Sequence, residues 1–106
     1  MPREVFGRVW ADAERRNAAS GPADYYLVGV VRTLRWLAQE TVRTPVTEVI
    51  DSALPEICLN EYMAALAATR STVLHSSRVE KARGAVAVLG WMYHRQPEPY
   101  SSTSTR

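Results

Sequence analysis

The chain has 106 residues, 46% of them hydrophobic, and a net charge of +2, which is enough apolar material for one small core without covalent staples. A single cysteine, Cys58, excludes an internal disulfide, and no apolar run reaches the roughly 18 to 20 residues of a membrane span. So small a net charge does not by itself argue for nucleic acid.

The segment "MPREVFGRVW" lacks the apolar core of a signal peptide, so the expected protein is soluble and cytoplasmic, with no membrane partner. Lys81 is the one lysine among 13 basic residues. With the alanine and valine content, that arginine bias points to a GC-rich genome.

Apolar residues recur at helical spacing throughout, and no sustained period-two alternation marks a strand. The first predicted helix runs over 3–17, with Val5, Phe6, Val9, Trp10 and Ala13 on one face. "AASGPAD" ends it. Ser20 or Gly21 then caps a second helix over 23–42, with Pro22 at its first position and Asp24 in its first turn. Tyr26, Leu27, Val30, Val31, Leu34 and Leu37 give this helix a wide apolar face, as expected of a central element.

"RTPVTE" starts a third helix, with Thr44 as cap and Val46, Val49, Ile50, Ala53 and Leu54 sharing a face. Pro55 breaks or kinks the chain. A fourth helix is expected over 56–72, with Cys58, Leu59, Tyr62, Met63 and Leu66 on one side. Ser77 and Glu80 form a capping box for the last helix, which runs to about residue 95. "QPEPYSSTSTR" reads as a flexible tail over 96–106. The expected fold is all-α: a compact bundle of four to five helices, in one domain over 1–95, with sequential neighbours antiparallel and a disordered C-terminal tail.

"GVVRTLRWLAQ" places two arginines and a tryptophan inside an apolar run. At roughly 100° per residue, Val30, Leu34 and Leu37 point to the core. Trp36 falls on the wet side with Tyr25, Arg32 and Arg43. Either another helix covers Trp36, with Arg32 stacked on its ring for ~0.5–1 kcal/mol, or these four residues form a partner-binding patch, since Trp, Tyr and Arg are enriched in interface hot spots. On the patch reading, Trp36→Ala weakens association more than stability.

The last helix has a second anomaly. Gly84, Ala87 and Trp91 share a face off the core stripe. That face is either a second buried side or a homodimer seam, because small residues let another helix approach closely.

Catalytic signatures are missing. There is no phosphate-binding glycine loop, no nucleophile elbow and no H-E-x-x-H. No glutamate has a histidine three residues later, as a di-iron bundle needs. Cys58, His75 and His94 stand apart in sequence, so no metal site or cofactor is expected. Cys58 lies on an apolar face and reads as structural. No catalytic residue is assigned, and the expected protein is not an enzyme.

"VTEVIDSALPEICLNEYMAALAATR" has the rhythm of a helix-turn-helix, whose second helix would expose Asn60, Glu61, Ala64 and Ala68. Its acidic start at Glu56 repels phosphate. Other basic candidates are Arg15 with Arg16, Arg32 with Arg35, and Arg78 with Lys81 and Arg83. Carboxylates nearby on the same helices can pair with many of them.

"YYLVGVVRTLRWLAQETVRTPVT", residues 25–47, resembles small uncharacterised helical proteins of actinobacterial phages and mobile elements. The resemblance implies an accessory protein and carries over no functional residue. The function expected is a small non-enzymatic module that binds another protein. A DNA-binding transcriptional regulator is the first alternative, and an enzyme of unrecognised type the second.

Overall fold

Four helices build the chain in the computed structural model, which describes residues 3–21, 24–94 and Pro99. They are α1 (Arg3–Ser20), α2 (Tyr25–Leu37), α3 (Pro55–Thr69) and α4 (Ser76–Tyr93). The expected tail lies, apart from Pro99, outside the described residues. The all-α bundle of the sequence reading is observed, with four helices.

The helix ends follow local chemistry. Gly21 sits at φ +70° behind α1, in the left-handed region that only glycine enters at no steric cost. Asp24, and not Ser20 or Gly21, caps α2, and its carboxylate accepts from the Leu27 N–H at 3.1 Å. Pro55 does not kink a helix but starts α3 in its first turn, where its missing N–H costs nothing. His75, not Ser77, caps α4, and its Nδ1 accepts from the Ser77 N–H at 3.1 Å. The expected capping box is displaced because the imidazole reaches that donor first.

Two expectations fail between residues 38 and 54. The second helix stops at Leu37 and not at 42. Glu40 N–H bonds Arg35 C=O at 2.8 Å, and Gln39 N–H bonds Trp36 C=O at 3.0 Å. With Gln39 at φ 64°, this is a Schellman termination that uses glutamine where glycine is usual.

The third expected helix does not form. Residues 45–47 make one turn. Glu48 then enters the left-handed region at φ 59°, and Thr44 N–H pairs with Val49 C=O at 2.8 Å. The result is a short hairpin-like connector with one bridge, Arg43 to Ile50. The apolar face expected there is not buried, since Val49, Ile50 and Leu54 are all exposed. The helix-turn-helix reading of this segment loses its first helix.

α2 and α4 form the centre. Their mutual packing is the most extensive, α3 lies on α4, and α1 lies on α2. Sequence neighbours α2 and α3 therefore share no main face, contrary to the antiparallel-neighbour expectation. One core joins Val9 and Ala13 of α1 to Val30, Val31 and Leu34 of α2 and Val88 of α4. A second joins Trp36 to Cys58, Tyr62 and Leu89. The α2–α4 approach is close because glycines face it from both sides. A methyl group on Gly29 would meet the Lys81 carbonyl, and one on Gly84 would lie 2.6 Å from the Val30 nitrogen.

Candidate functional site

The two anomalies of the sequence resolve into packing. Trp36 is 1% exposed. It is covered not by Arg32 but by α3 and the connector, and its Nε1 donates to the Asp51 carbonyl at 2.9 Å. Tyr25, Arg32 and Arg43 remain exposed, so the four residues do not present one surface and Trp36 leaves the patch. The helical wheel placed it outside because α2 has more than one covered side.

Gly84 is likewise buried against Tyr26, Gly29 and Val30 of the same chain, and Trp91 packs half-buried on the first core. Ala87 is half-buried. Gly84 is occupied internally, so the face expected as a homodimer seam is in large part the second buried side of a central helix.

A basic concave surface lies elsewhere. A cleft of about 320 Å³ opens between the outer side of α2, the start of α4 and the connector. Pro45, Val46, Ala68, Leu74 and Ala82 give it apolar lining, and Arg32, Arg78, Lys81 and Glu48 supply its charges. An adjoining recess of about 220 Å³ shares Arg32, Pro45 and Glu48 and adds Arg35 and Arg43. Arg78 and Lys81 stand one turn apart on α4. Arg32 comes from α2, far away in sequence.

The other arginines are mostly occupied. Asp12 pairs with Arg15 and with Arg16, and Glu80 holds Arg83 at 3.3 Å. Glu14 takes Arg35 in a two-pronged bond, with both N–O distances 2.7 Å. The Arg43 guanidinium donates to the Glu48 carbonyl at 2.6 Å. Lys81 lies 5.6 Å from the centre of the Tyr25 ring. Among the described residues, the side chains of Arg32 and Arg78 have no carboxylate in ion-pair range.

The Arg35 guanidinium holds the Glu14 carboxyl below its ordinary value of 4.5, against partial burial that raises it and with help from the Trp10 indole N–H. A depressed carboxyl stabilises the fold fully above its unfolded value and loses that contribution as pH falls through the folded one. Denaturant midpoints measured on either side of pH 4.5 are therefore expected to show a shallower acid loss in Glu14→Gln than in the wild type. Solvent screening keeps the difference small, because Arg35 is about half exposed.

Glu61 is the main feature the sequence reading missed. Expected on an exposed face, it is 3% exposed. Its carboxylate accepts from the Val46 N–H at 2.8 Å, the Thr47 N–H at 3.1 Å and the Thr47 hydroxyl at 2.6 Å. It thereby fixes the connector wall of the cleft. These amides are the donors a helix start at Thr44 would have left unpaired.

Cys58 is buried, with its thiol pushed up by burial and against the Tyr93 hydroxyl at 3.7 Å. Burial, and then the Cys58 contact, push the Tyr93 phenol up to about 12. That pairing suits packing and not a nucleophile. Among the described residues no three of His, Cys, Asp or Glu stand together to hold a metal ion, and no helix is long and apolar enough to cross a membrane. Searches of family models, curated proteins and solved structures return no match to this chain.

Proposed function

We propose that the chain is a non-enzymatic binding module acting through protein–protein interaction, and that its cleft takes an acidic, partly apolar segment of a partner protein. One observation carries the reading: Arg32, Arg78 and Lys81 converge on a recess with an apolar lining, while Arg15, Arg16, Arg35 and Arg83 pair with carboxylates of the same chain. The cleft sets these three cations against the single carboxylate of Glu48, and a net positive concavity focuses the field there and attracts anions.

The recess lies at the lower end of ligand-pocket volumes, which start near ~300 Å³. That accommodates a few side chains. A nucleic-acid duplex offers a continuous line of phosphates and asks for an extended basic face. Here the cations rim a hollow lined by Pro45, Val46 and Leu74, which suits carboxylates beside aliphatic groups.

The test is a titration with a short fluorescein-labelled peptide alternating glutamate and leucine, and separately with a labelled DNA duplex. Arg32→Glu combined with Arg78→Glu, both exposed, should weaken peptide binding by at least about tenfold, while the melting midpoint moves little, as expected for surface substitutions worth roughly 0.5 kcal/mol or less. Duplex binding that falls steeply with salt, with no peptide binding, would put the nucleic-acid reading in its place.

A further inference from the structure

The connector over 38–54 supplies one wall of the cleft through Pro45, Val46 and Glu48. Apolar burial holds that wall mainly through Val46, half-buried against Ala65, Ala82 and Ala85, while Val42 is 62% exposed and Ile50 is 72% exposed. Between its junctions with α2 and α3, most of its hydrogen bonds are internal. Thr44 N–H meets Val49 C=O at 2.8 Å, and Asp51 N–H meets Val42 C=O at 2.9 Å. The Thr44 and Thr47 hydroxyls are 2.9 Å apart.

Its polar ties to the helical body are few. Trp36 Nε1 donates to the Asp51 carbonyl, and Glu61 takes the three donors of Val46 and Thr47. A segment with many bonds closing on itself and Val46 as its chief apolar anchor can leave the body without breaking up. Opening also lets water reach the Glu61 carboxylate, so the charge is not stranded unpaired when its donors depart.

We propose that residues 43–50 are a strap latched by Glu61, and that a ligand in the cleft closes it. The second half rests on the reading of the cleft as a binding site. A ligand held between the α4 cations and the strap contacts both walls only in the latched state. It therefore binds that state better and shifts the population toward it. Glu61 acts as a positioning residue: it holds the wall that the ligand meets and does not itself line the cleft.

The experiment is native-state hydrogen exchange on the full chain, free and with the glutamate–leucine peptide. Two variants are compared with the wild type. Thr47→Val removes the hydroxyl bond to Glu61, together with the hydroxyl's 2.9 Å contact with Thr44 inside the strap, and leaves both amide bonds to Glu61. Glu61→Gln keeps an acceptor oxygen in an isosteric side chain. In both, the Val46 and Thr47 amides are expected to exchange about tenfold faster, the effect of losing a charge-assisted hydrogen bond. The amides of Val30 and Leu34 in α2 and of Val88 in α4 are expected to keep their rates. Peptide is expected to slow exchange at Val46 and Thr47 in the wild type, and to bind each variant less tightly by a similar factor. Faster exchange spread evenly through α2 and α4, or unchanged rates at Val46 and Thr47, would overturn the strap. A local change in rate with undiminished peptide affinity would overturn its control of the cleft. A wild-type chain that binds no peptide would count against the cleft reading, and the exchange rates of the free protein would still decide the strap.

Discussion

Trp36→Ala is expected to lower the unfolding free energy by about 3–5 kcal/mol, the usual loss for truncating a large aromatic side chain in a core. Trp36 heads the fully buried side chains by volume, and it joins α2 to Cys58 and Tyr62 of α3 and to Leu89 of α4. Small domains hold roughly 5–15 kcal/mol in all, so the loss removes a large share. It should appear as a shifted denaturant midpoint with little change in slope. Trp36→Phe keeps most of the ring contacts and leaves the Asp51 carbonyl without its 2.9 Å donor, for a smaller loss of about 1–3 kcal/mol. On the patch reading the alanine variant would weaken association and spare stability. Burial reverses that order, and an unchanged midpoint in Trp36→Ala would return the ring to the surface.

Gly29→Ala and Gly84→Ala should each cost more than about 3 kcal/mol, although helix propensity alone favours alanine by ~1 kcal/mol at any interior helical position. The sign is decided by what the added methyl meets. At Gly29 it runs into the Lys81 carbonyl group, with the carbonyl carbon 2.8 Å away. At Gly84 it meets the Tyr26 carbonyl and lies 2.6 Å from the Val30 nitrogen. These obstacles are backbone atoms, which have no rotamer to escape into, so the two central helices must separate along the crossing. Overpacking against side chains typically costs ~1–3 kcal/mol, and an unyielding neighbour puts these sites above that range. The double variant should cost less than the sum, because both methyls push apart one interface. Gly7→Ala is the control. It sits in α1 with nothing within 4 Å of the added carbon, and it should gain about 0.5–1 kcal/mol. Thermal melts of the four variants test the argument together. A stabilised Gly84→Ala would mean that α2 and α4 do not cross as closely as the structure places them.

The sequence by itself determined what depends on near neighbours along the chain. Helical spacing marks the apolar row of α1 and the presence of α3, although Leu59 and Met63 of the row expected there are exposed, and the stretch that contains Gly21 ends α1. These are local bargains between a side chain and a backbone group a few residues away, and they survive any arrangement of the rest. The tertiary structure decided whatever required knowing which surfaces meet. A helical wheel gives directions around one axis and cannot say how many of them will be covered. Trp36 and Gly84 therefore looked like outward anomalies, yet each points into a second neighbour. Thr44 to Leu54 carries a sound helix-start pattern. A carboxylate on another helix, Glu61, claims its first amides and sets them in a turn. Arg32 stood with Arg35 in the sequence, but Glu14 of α1 takes Arg35, and the bundle sets Arg32 beside Arg78 and Lys81. The basic cleft exists because α4 packs on α2. No spacing within either helix encodes that meeting.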